Sequence, residues 1–488
     1  GVLSPPSFIE ATPRSQPAGS TPAHAAMPEL SLASCTAEFV GTYLLVFTVG
    51  CNVLAHNPNW GGVSIACSLM VSIYALGKAS GANFNPAVSL ALGISNKMGW
   101  KQVGAYMGVQ VVAGTLGALS YSLLYKDSFN IGPTHGFGWW QAMLCELLYT
   151  FMLCFVVLNT AASKALAGKN QFYGLAIGFV IVAGAYGPGA VSGGCFNPAV
   201  AIGIDISSVS QGFGWCVVYT VFEFLGAALA VAAFWLLRPE ERTDDEAPAE
   251  YSLTSKLVGE ALGTFMLVLT AGLNVLTESK AAAFSIAAAL MCMIYAIGDV
   301  SGAHFNPAVT VAILGSGRAK IEAKTAGLYA AVQIGAGLLG ALTYAAVMGG
   351  VTFPIGPGRG FGWASVTMAE LFFTFVLAFV VLCLATTREA PAAEFTGFAI
   401  GSYVTVGGLA IGTVSGGSLN PAVSFGVAAA RVLFGGTFYR GVVYMIVEAL
   451  AGLIAAGVFR VTYPGEFTGE GIAKEAKEAA LREGDAAY

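Results

Sequence analysis

Charge is the scarcest property of this chain. Its 488 residues include 22 Lys and Arg and 27 Asp and Glu, one tenth of the total. A soluble chain carries about a quarter of its residues as charges, so a large water-exposed surface is excluded. Histidine is scarce too. His24, His56, His135 and His304 form no cluster, and no metal site is expected. The nine Cys are scattered through apolar segments without metal-ligand spacing. They read as small buried hydrophobes, not as a disulfide framework. A net charge of −5 argues against nucleic acid as a partner. No nucleophile–base pair appears in any motif, so no enzyme and no cofactor are expected. The strand alternation of an outer-membrane barrel is also missing.

Apolar residues are abundant, at 56% of the chain, with 63 Gly. Runs such as "TAEFVGTYLLVFTVGCNVLA" (36–55) and "AVQIGAGLLGALTYAAVMGG" (331–350) reach the ~20 residues that a helix needs to cross a bilayer. The expected fold class is an all-α, multi-pass membrane protein.

One phrase recurs four times: "SGANFNPAVSL" (80–90), "SGGCFNPAVAIG" (192–203), "SGAHFNPAVTVA" (301–312) and "SGGSLNPAVSFG" (415–426). Asn85 lies 221 residues before Asn306, and Asn197 lies 223 before Asn420. Glu38 lies 222 before Glu260, and Glu146 lies 224 before Glu370. The chain is therefore a tandem duplication. Within each unit a Glu opens an apolar segment and an Asn-Pro-Ala follows 46 to 51 residues later. Each half holds three spanning segments and one short apolar piece after the Pro. Three is odd, so the second half enters from the opposite side, which makes an inverted repeat.

The expected spans are 34–55, 61–79, 102–124, 139–160, 171–187 and 213–237, then 253–276, 281–299, 323–348, 363–386, 395–413 and 438–460. The short pieces beginning near 85, 197, 306 and 420 run about ten residues, too few to span at about 1.5 Å per residue, and are expected to be re-entrant half-helices. The expected organisation is a flexible segment 1–33, a first six-span unit 34–237, a charged solvated linker 238–252, a second six-span unit 253–460 and a tail 461–488. Within the tail, 471–488 reads as a short charged helix. The first 33 residues lack the apolar core of a signal peptide. Lys97, Lys101, Lys164, Lys169, Arg318, Lys320 and Lys324 fall in loops on the linker's side, and Arg359, Arg431 and Arg440 on the other. By the positive-inside rule both termini are cytoplasmic.

Asn is a good N-cap, and Pro is favoured in the first helical turn. Two inverted half-helices would meet at mid-membrane with their N-termini together, each carrying about half a positive charge. Such a waist repels cations and protonated water clusters. The capping residues Asn85, Pro86 and Ala87 face Asn197, Pro198 and Ala199 in the first unit. Asn306, Pro307 and Ala308 face Asn420, Pro421 and Ala422 in the second. The Asn amides supply donors, and the Gly-rich residues before them supply carbonyl acceptors. That arrangement suits small neutral polar solutes.

These residues resemble two fused copies of the major intrinsic proteins, the aquaporin and aquaglyceroporin family. The likeness covers about 34–237 and 253–460 and includes the first-helix stretches "AEFVGTYLLVF" (37–47) and "GEALGTFMLV" (259–268). It implies one pore per six-helix unit and four units around an axis, hence a dimer of tandem chains in the lipid bilayer. It also implies that Glu38, Glu146, Glu260 and Glu370 are buried and hold the half-helix loops by hydrogen bonds. The filter implied by the family falls at Ile65, Ala185, Gly194 and Val200, and at Ile286, Gly408, Gly417 and Val423. Most of the family has Arg where Val200 and Val423 stand. Val there is similar to a subgroup of plant tonoplast intrinsic proteins, although that subgroup usually has His where Ile65 and Ile286 stand. A wide, apolar filter is expected, passing water and molecules of the size of glycerol, urea, ammonia or hydrogen peroxide. Cys195, two before Asn197, is a candidate for mercurial block, and the second unit has Ser418 there. Two alternatives share parts of this pattern. A secondary transporter also uses inverted repeats but needs coupling-ion ligands, and a junctional membrane protein would keep its pores closed.

Overall fold

Long apolar segments fold into helices, and Asn-Pro starts four of them, at Asn85, Asn197, Asn306 and Asn420, while Gly81, Gly193, Gly302 and Gly416 end the helices before those starts. The computed structural model describes residues 28–388 and 393–467. In the first unit these are α1 (Leu32–Leu54), α2 (Gly61–Ser80), α3 (Pro86–Ile94), α4 (Trp100–Tyr125), α5 (Trp139–Val157), α6 (Tyr173–Ala185), α7 (Gly189–Ser192), α8 (Pro198–Ser207) and α9 (Trp215–Leu237). The second unit has α10 (Leu253–Leu276), α11 (Ala282–Ser301), α12 (Pro307–Gly315), α13 (Ala323–Val347), α14 (Trp363–Ala385), α15 (Thr396–Ser415), α16 (Pro421–Leu433) and α17 (Tyr439–Thr462). No strand occurs among the described residues. The expected helix at 471–488 and residues 1–27 lie outside them.

Among the described residues eleven helices are long and apolar enough to cross a membrane, with α5 extended to Ala162 by a π turn. The expected span 171–187 differs. It is the 13-residue α6, followed by a turn at Tyr186–Pro188 and the four-residue α7. Pro188 has no N–H to give the Gly184 carbonyl, so the helix breaks there. Its counterpart α15 has Ile411 at that position and runs unbroken for 20 residues.

α1 begins at Leu32, two residues earlier than expected. Ser31 caps it, and Ser31 and Ser34 exchange side-chain-to-backbone bonds of 2.9 and 3.1 Å. Helices cross closely where Gly removes the side chain. A Cβ on Gly114 of α4 would overlap the Ala199 carbonyl at the start of α8. Small residues at a crossing let backbones approach within a membrane.

The two units pack chiefly through α6 of the first against α11 of the second, with α5 against α11 and α13 and α9 against α10. Tyr149 and Thr270 share a 2.7 Å hydroxyl bond, and Ser285 Oγ donates to the Ala183 carbonyl at 2.9 Å. Phe172 stacks on Tyr295 with ring centroids 4.3 Å apart. The linker is not simply solvated, as its charge suggested. Pro239–Arg242 forms a 3-10 turn with Glu240 and Glu241 buried. Glu241 takes Lys97 Nζ and the Lys164 N–H, both at 2.6 Å. Arg238 is wholly buried, with Nε on Asn159 Oδ1 at 2.7 Å and both terminal nitrogens on Asp299 at 2.7 and 2.9 Å. Buried charges persist when each has a partner of this kind.

Candidate functional site

The four Gly-rich loops share one backbone. Gly81, Ala82 and Phe84 have φ of 86, 54 and 52°, and Gly193, Gly194 and Phe196 have 89, 69 and 54°. Gly302, Ala303 and Phe305 repeat this at 84, 49 and 49°, and Gly416, Gly417 and Leu419 at 93, 63 and 55°. Left-handed backbone at a residue with a side chain costs about 1–3 kcal/mol and persists only when its surroundings hold it.

The buried Glu residues hold it. Glu38 accepts from Ser80 Oγ at 2.6 Å, from the Asn83 and Phe84 N–H groups at 2.9 and 2.8 Å, and from Gln110 Nε2 at 2.8 Å. Glu260 accepts from Ser301, His304, Phe305 and Gln333 at 2.7, 3.0, 2.7 and 2.8 Å. Glu146 takes Ser192 Oγ and the Cys195 and Phe196 N–H groups at 2.6, 3.0 and 2.7 Å. Glu370 takes the Ser418 and Leu419 N–H groups at 3.1 and 2.9 Å. All four carboxylates have no exposed surface. Hydrogen bonds of this kind, three or four at Glu38, Glu146 and Glu260 and two at Glu370, compensate an anion taken out of water.

At mid-unit the Asn residues tie the half-helices together. Each Asn Oδ1 caps its own helix, taking the N–H of Ala87, Ala199, Ala308 or Ala422 at 2.8, 3.0, 2.9 and 2.9 Å. Each Nδ2 donates across to the facing loop. Asn85 reaches the Phe196 carbonyl at 2.8 Å, and Asn197 the Phe84 carbonyl at 3.0 Å. Asn306 reaches Leu419 at 2.8 Å, and Asn420 reaches Phe305 at 2.9 Å. An Asn amide has two N–H groups, so one remains for a molecule in the cavity that each Asn lines.

One elongated cavity runs through each unit, of about 1210 Å³ in the first and about 920 Å³ in the second. Ile65, Ala185, Gly194 and Val200 all line the first. Ile286, Gly408, Gly417 and Val423 all line the second. The difference between Ala185 and Gly408 does not widen one path. A Cβ on Gly62 would sit 2.8 Å from the Ala185 Cβ, and a Cβ on Gly408 would sit 2.7 Å from the Ala283 Cβ. The methyl has swapped sides of the same helix contact. Cys195 lines the first cavity and Ser418 the second. Asn83 and His304 line equivalent positions. Asn83 Nδ2 donates to Ser89 Oγ, and His304 Nδ1 meets Thr310 Oγ1, both at 3.0 Å.

Beside Glu38, Glu146, Glu260 and Glu370, sequence reasoning passed over two carboxylates that reach the Asn caps. Glu223 and Glu448 are also buried. They accept the N–H of Asn197 at 2.8 Å and of Asn420 at 3.1 Å. Ser424 Oγ adds bonds of 2.9 and 3.1 Å to Glu448, whereas Glu223 Oε2 has no partner among the described residues. The signal was available as a Tyr-x3-Gln or Tyr-x3-Glu pair in α4, α9, α13 and α17. Tyr106 and Tyr219 bond the Ser80 and Ser192 carbonyls, and Tyr329 and Tyr444 those of Ser301 and Ser415. Gln110 and Gln333 follow in the first halves, and Glu223 and Glu448 in the second. Asp205 of α8 is a further buried acid, taking the Gly214 and Cys216 N–H groups at 2.9 and 2.8 Å.

Comparison with known proteins gives consistent matches. The family model described as "Major intrinsic protein" matches residues 27–235 and again 246–459. The "Probable aquaporin NIP4-2" of Arabidopsis thaliana is 33% identical over 202 residues, covering 39% of this chain and 69% of that protein. "Aquaporin NIP1-1" of Zea mays is 34% identical over 212 residues, covering 41% and 73%. Each alignment has the length of one unit. Among solved structures, the aquaglyceroporin from Plasmodium falciparum matches at 21% identity and a TM-score of 0.37, over 42% of this chain and 95% of that one.

Proposed function

Because this chain belongs to the major intrinsic protein family in both of its units, we propose that each unit is a separate passive path for water and small neutral solutes of the glycerol, urea, ammonia or hydrogen peroxide class. The family's members are multi-pass membrane channels, not enzymes. The observation that carries the proposal is the waist. Two half-helix N-termini face one another there, fixed by crossed Asn-to-carbonyl bonds of 2.8 to 3.0 Å. Their aligned dipoles oppose cations, while one N–H of each Asn serves a neutral solute.

The breadth of solute follows from Ile65, Ala185, Gly194 and Val200, and from Ile286, Gly408, Gly417 and Val423, read as the filters. None carries a charge or a large ring. Without a cation at the filter, exclusion of ions rests mainly on the half-helices. Swelling of proteoliposomes followed by stopped flow tests this reading. Water, glycerol and urea should all pass; passage of water alone would sink the broad filter.

Two chains would assemble four paths, with both termini in the cytoplasm. Inside the chain, α5, α10 and α11 are buried over 78%, 72% and 67% of their apolar windows. Their repeat equivalents α14, α1 and α2 are buried over only 33%, 39% and 28%. A second copy would cover those faces with the contact that already joins the two units.

A further inference from the structure

The two paths are not alike at one point above the filter. In the first unit the break after α6 puts Tyr186 where a continuous helix would carry it outward. Tyr186 is 8% exposed and lines the first cavity. Its counterpart Leu409 lies within the unbroken α15, is 72% exposed, and is absent from the described residues lining the second cavity.

Two contacts hold the ring inward. Its hydroxyl donates to the Asn59 carbonyl at 2.8 Å, in the loop between α1 and α2. The ring lies against Gly62, where a Cβ would stand 3.0 Å from it. The next residue of the bend packs on the other unit, since a Cβ on Gly187 would stand 2.8 Å from Asn274 Nδ2 and 2.9 Å from the Asn274 backbone nitrogen. With its hydroxyl tied to a carbonyl, the ring offers the path bulk and an apolar surface, not a free hydrogen-bonding group. The whole first cavity is the larger of the two, so the restriction is local.

We infer that Tyr186 is an added constriction confined to the first path, which lowers the solute size admitted there and leaves the bulkier neutral solutes to the second path. This rests on the reading of both units as neutral-solute paths with broad filters.

The test uses the full chain in proteoliposomes in two backgrounds. Val423→Trp plugs the second filter and Val200→Trp the first. Water and glycerol permeabilities are read in each. The ratio of glycerol to water should be at least about tenfold lower with only the first path open, within what an apolar constriction can discriminate. Tyr186→Leu in the Val423→Trp background should raise that ratio several-fold while water changes less than about twofold. Leu409→Tyr in the Val200→Trp background should leave it unchanged. A ratio that Tyr186→Leu does not move, while water still flows, overturns the inference. If Tyr186→Leu abolishes water flux through misfolding, Tyr186→Trp decides: glycerol must fall further with water retained, and an unchanged ratio overturns the inference. Absence of glycerol flux in the Val200→Trp background, with water present, overturns the broad-filter reading and this inference with it. Glycerol flux there with no effect of Tyr186→Leu overturns this inference alone.

Discussion

Val200 and Val423 stand three residues after Asn197 and Asn420 and line their cavities. Neither gives a solute a charge to bind or to avoid. Val200→Arg with Val423→Arg would add a cation and length at both filters. Glycerol and urea flux should fall at least about tenfold more than water flux in stopped-flow assays, as expected of a narrowed polar site; equal loss of both would place the filter elsewhere. Cys195 lines the first cavity with Sγ 3.3 Å from the Asn197 carbonyl. The second path has Ser418 there. A mercurial should remove part of the water flux and leave the rest, and Cys195→Ser should abolish that sensitivity. Glu223 and Glu448 act on the backbone of the Asn caps. Glu223→Gln with Glu448→Gln keeps an acceptor for each N–H and should melt near the parent. Conversion of both to Leu leaves two buried amides unpaired, at about 1–3 kcal/mol each, and should lower the melting temperature in detergent.

At the scale of elements, the half-helix loops depend on long-range ties. A Gly follows three residues after Glu38 and Glu260, and a Cβ on Gly41 or Gly263 would overlap the ring of Phe84 or Phe305. Those aromatics sit at the left-handed residue just before each Asn. Gly263→Val should therefore push the loop out of place and destabilise by about 1–3 kcal/mol, the usual cost of overpacking. Gly108→Ala is the control, since a Cβ there meets nothing within 4 Å. A thermal melt of the two variants separates them; equal melting points would show that the Phe305 ring moves aside freely. The break in α6 is a different device. Pro188 ends a helix that its repeat equivalent continues, and the second unit's Asn274 packs against the bend.

For the whole molecule, the joint between units matters as much as either unit. Arg238 joins the end of α9 to Asn159, Tyr251 and Asp299. Removing a buried ion from such a set costs about 3–5 kcal/mol, because its partners lose their counter-charge. Arg238→Ala should leave each unit folded but loosen their contact, detected as faster protease cleavage between 243 and 250 at unchanged far-ultraviolet helicity. Unchanged cleavage would show that the contacts of α5 and α6 with the second unit suffice. The bare equivalents of those faces predict association. Light scattering of the purified protein should give twice the 50.0 kDa of one chain; a monomer at micromolar concentration would remove the four-path assembly.

The amino-acid sequence by itself determined the membrane class, the duplication, the inverted halves and the Asn-Pro-Ala waist. Each depends on local composition or on a fixed spacing, which a linear chain displays directly. The starts of the half-helices were legible for the same reason, because Asn-Pro acts on the turn next to it. Only the tertiary structure decided what depends on distant contacts. The Tyr-x3-Glu spacing marks Glu223 and Glu448 in the sequence, but only the fold brings their carboxylates to the Asn197 and Asn420 amides. The exchange of a methyl between Gly62–Ala185 and Ala283–Gly408 cancels in space, although each position alone suggests a change in width. Tyr186 turns inward where Pro188 breaks the helix, and its hydroxyl is held by the distant Asn59 carbonyl. Arg238, Glu240 and Glu241 at the start of the charged linker lie buried, because Lys97, Lys164 and Asp299, far away in sequence, satisfy charges that water would otherwise hold.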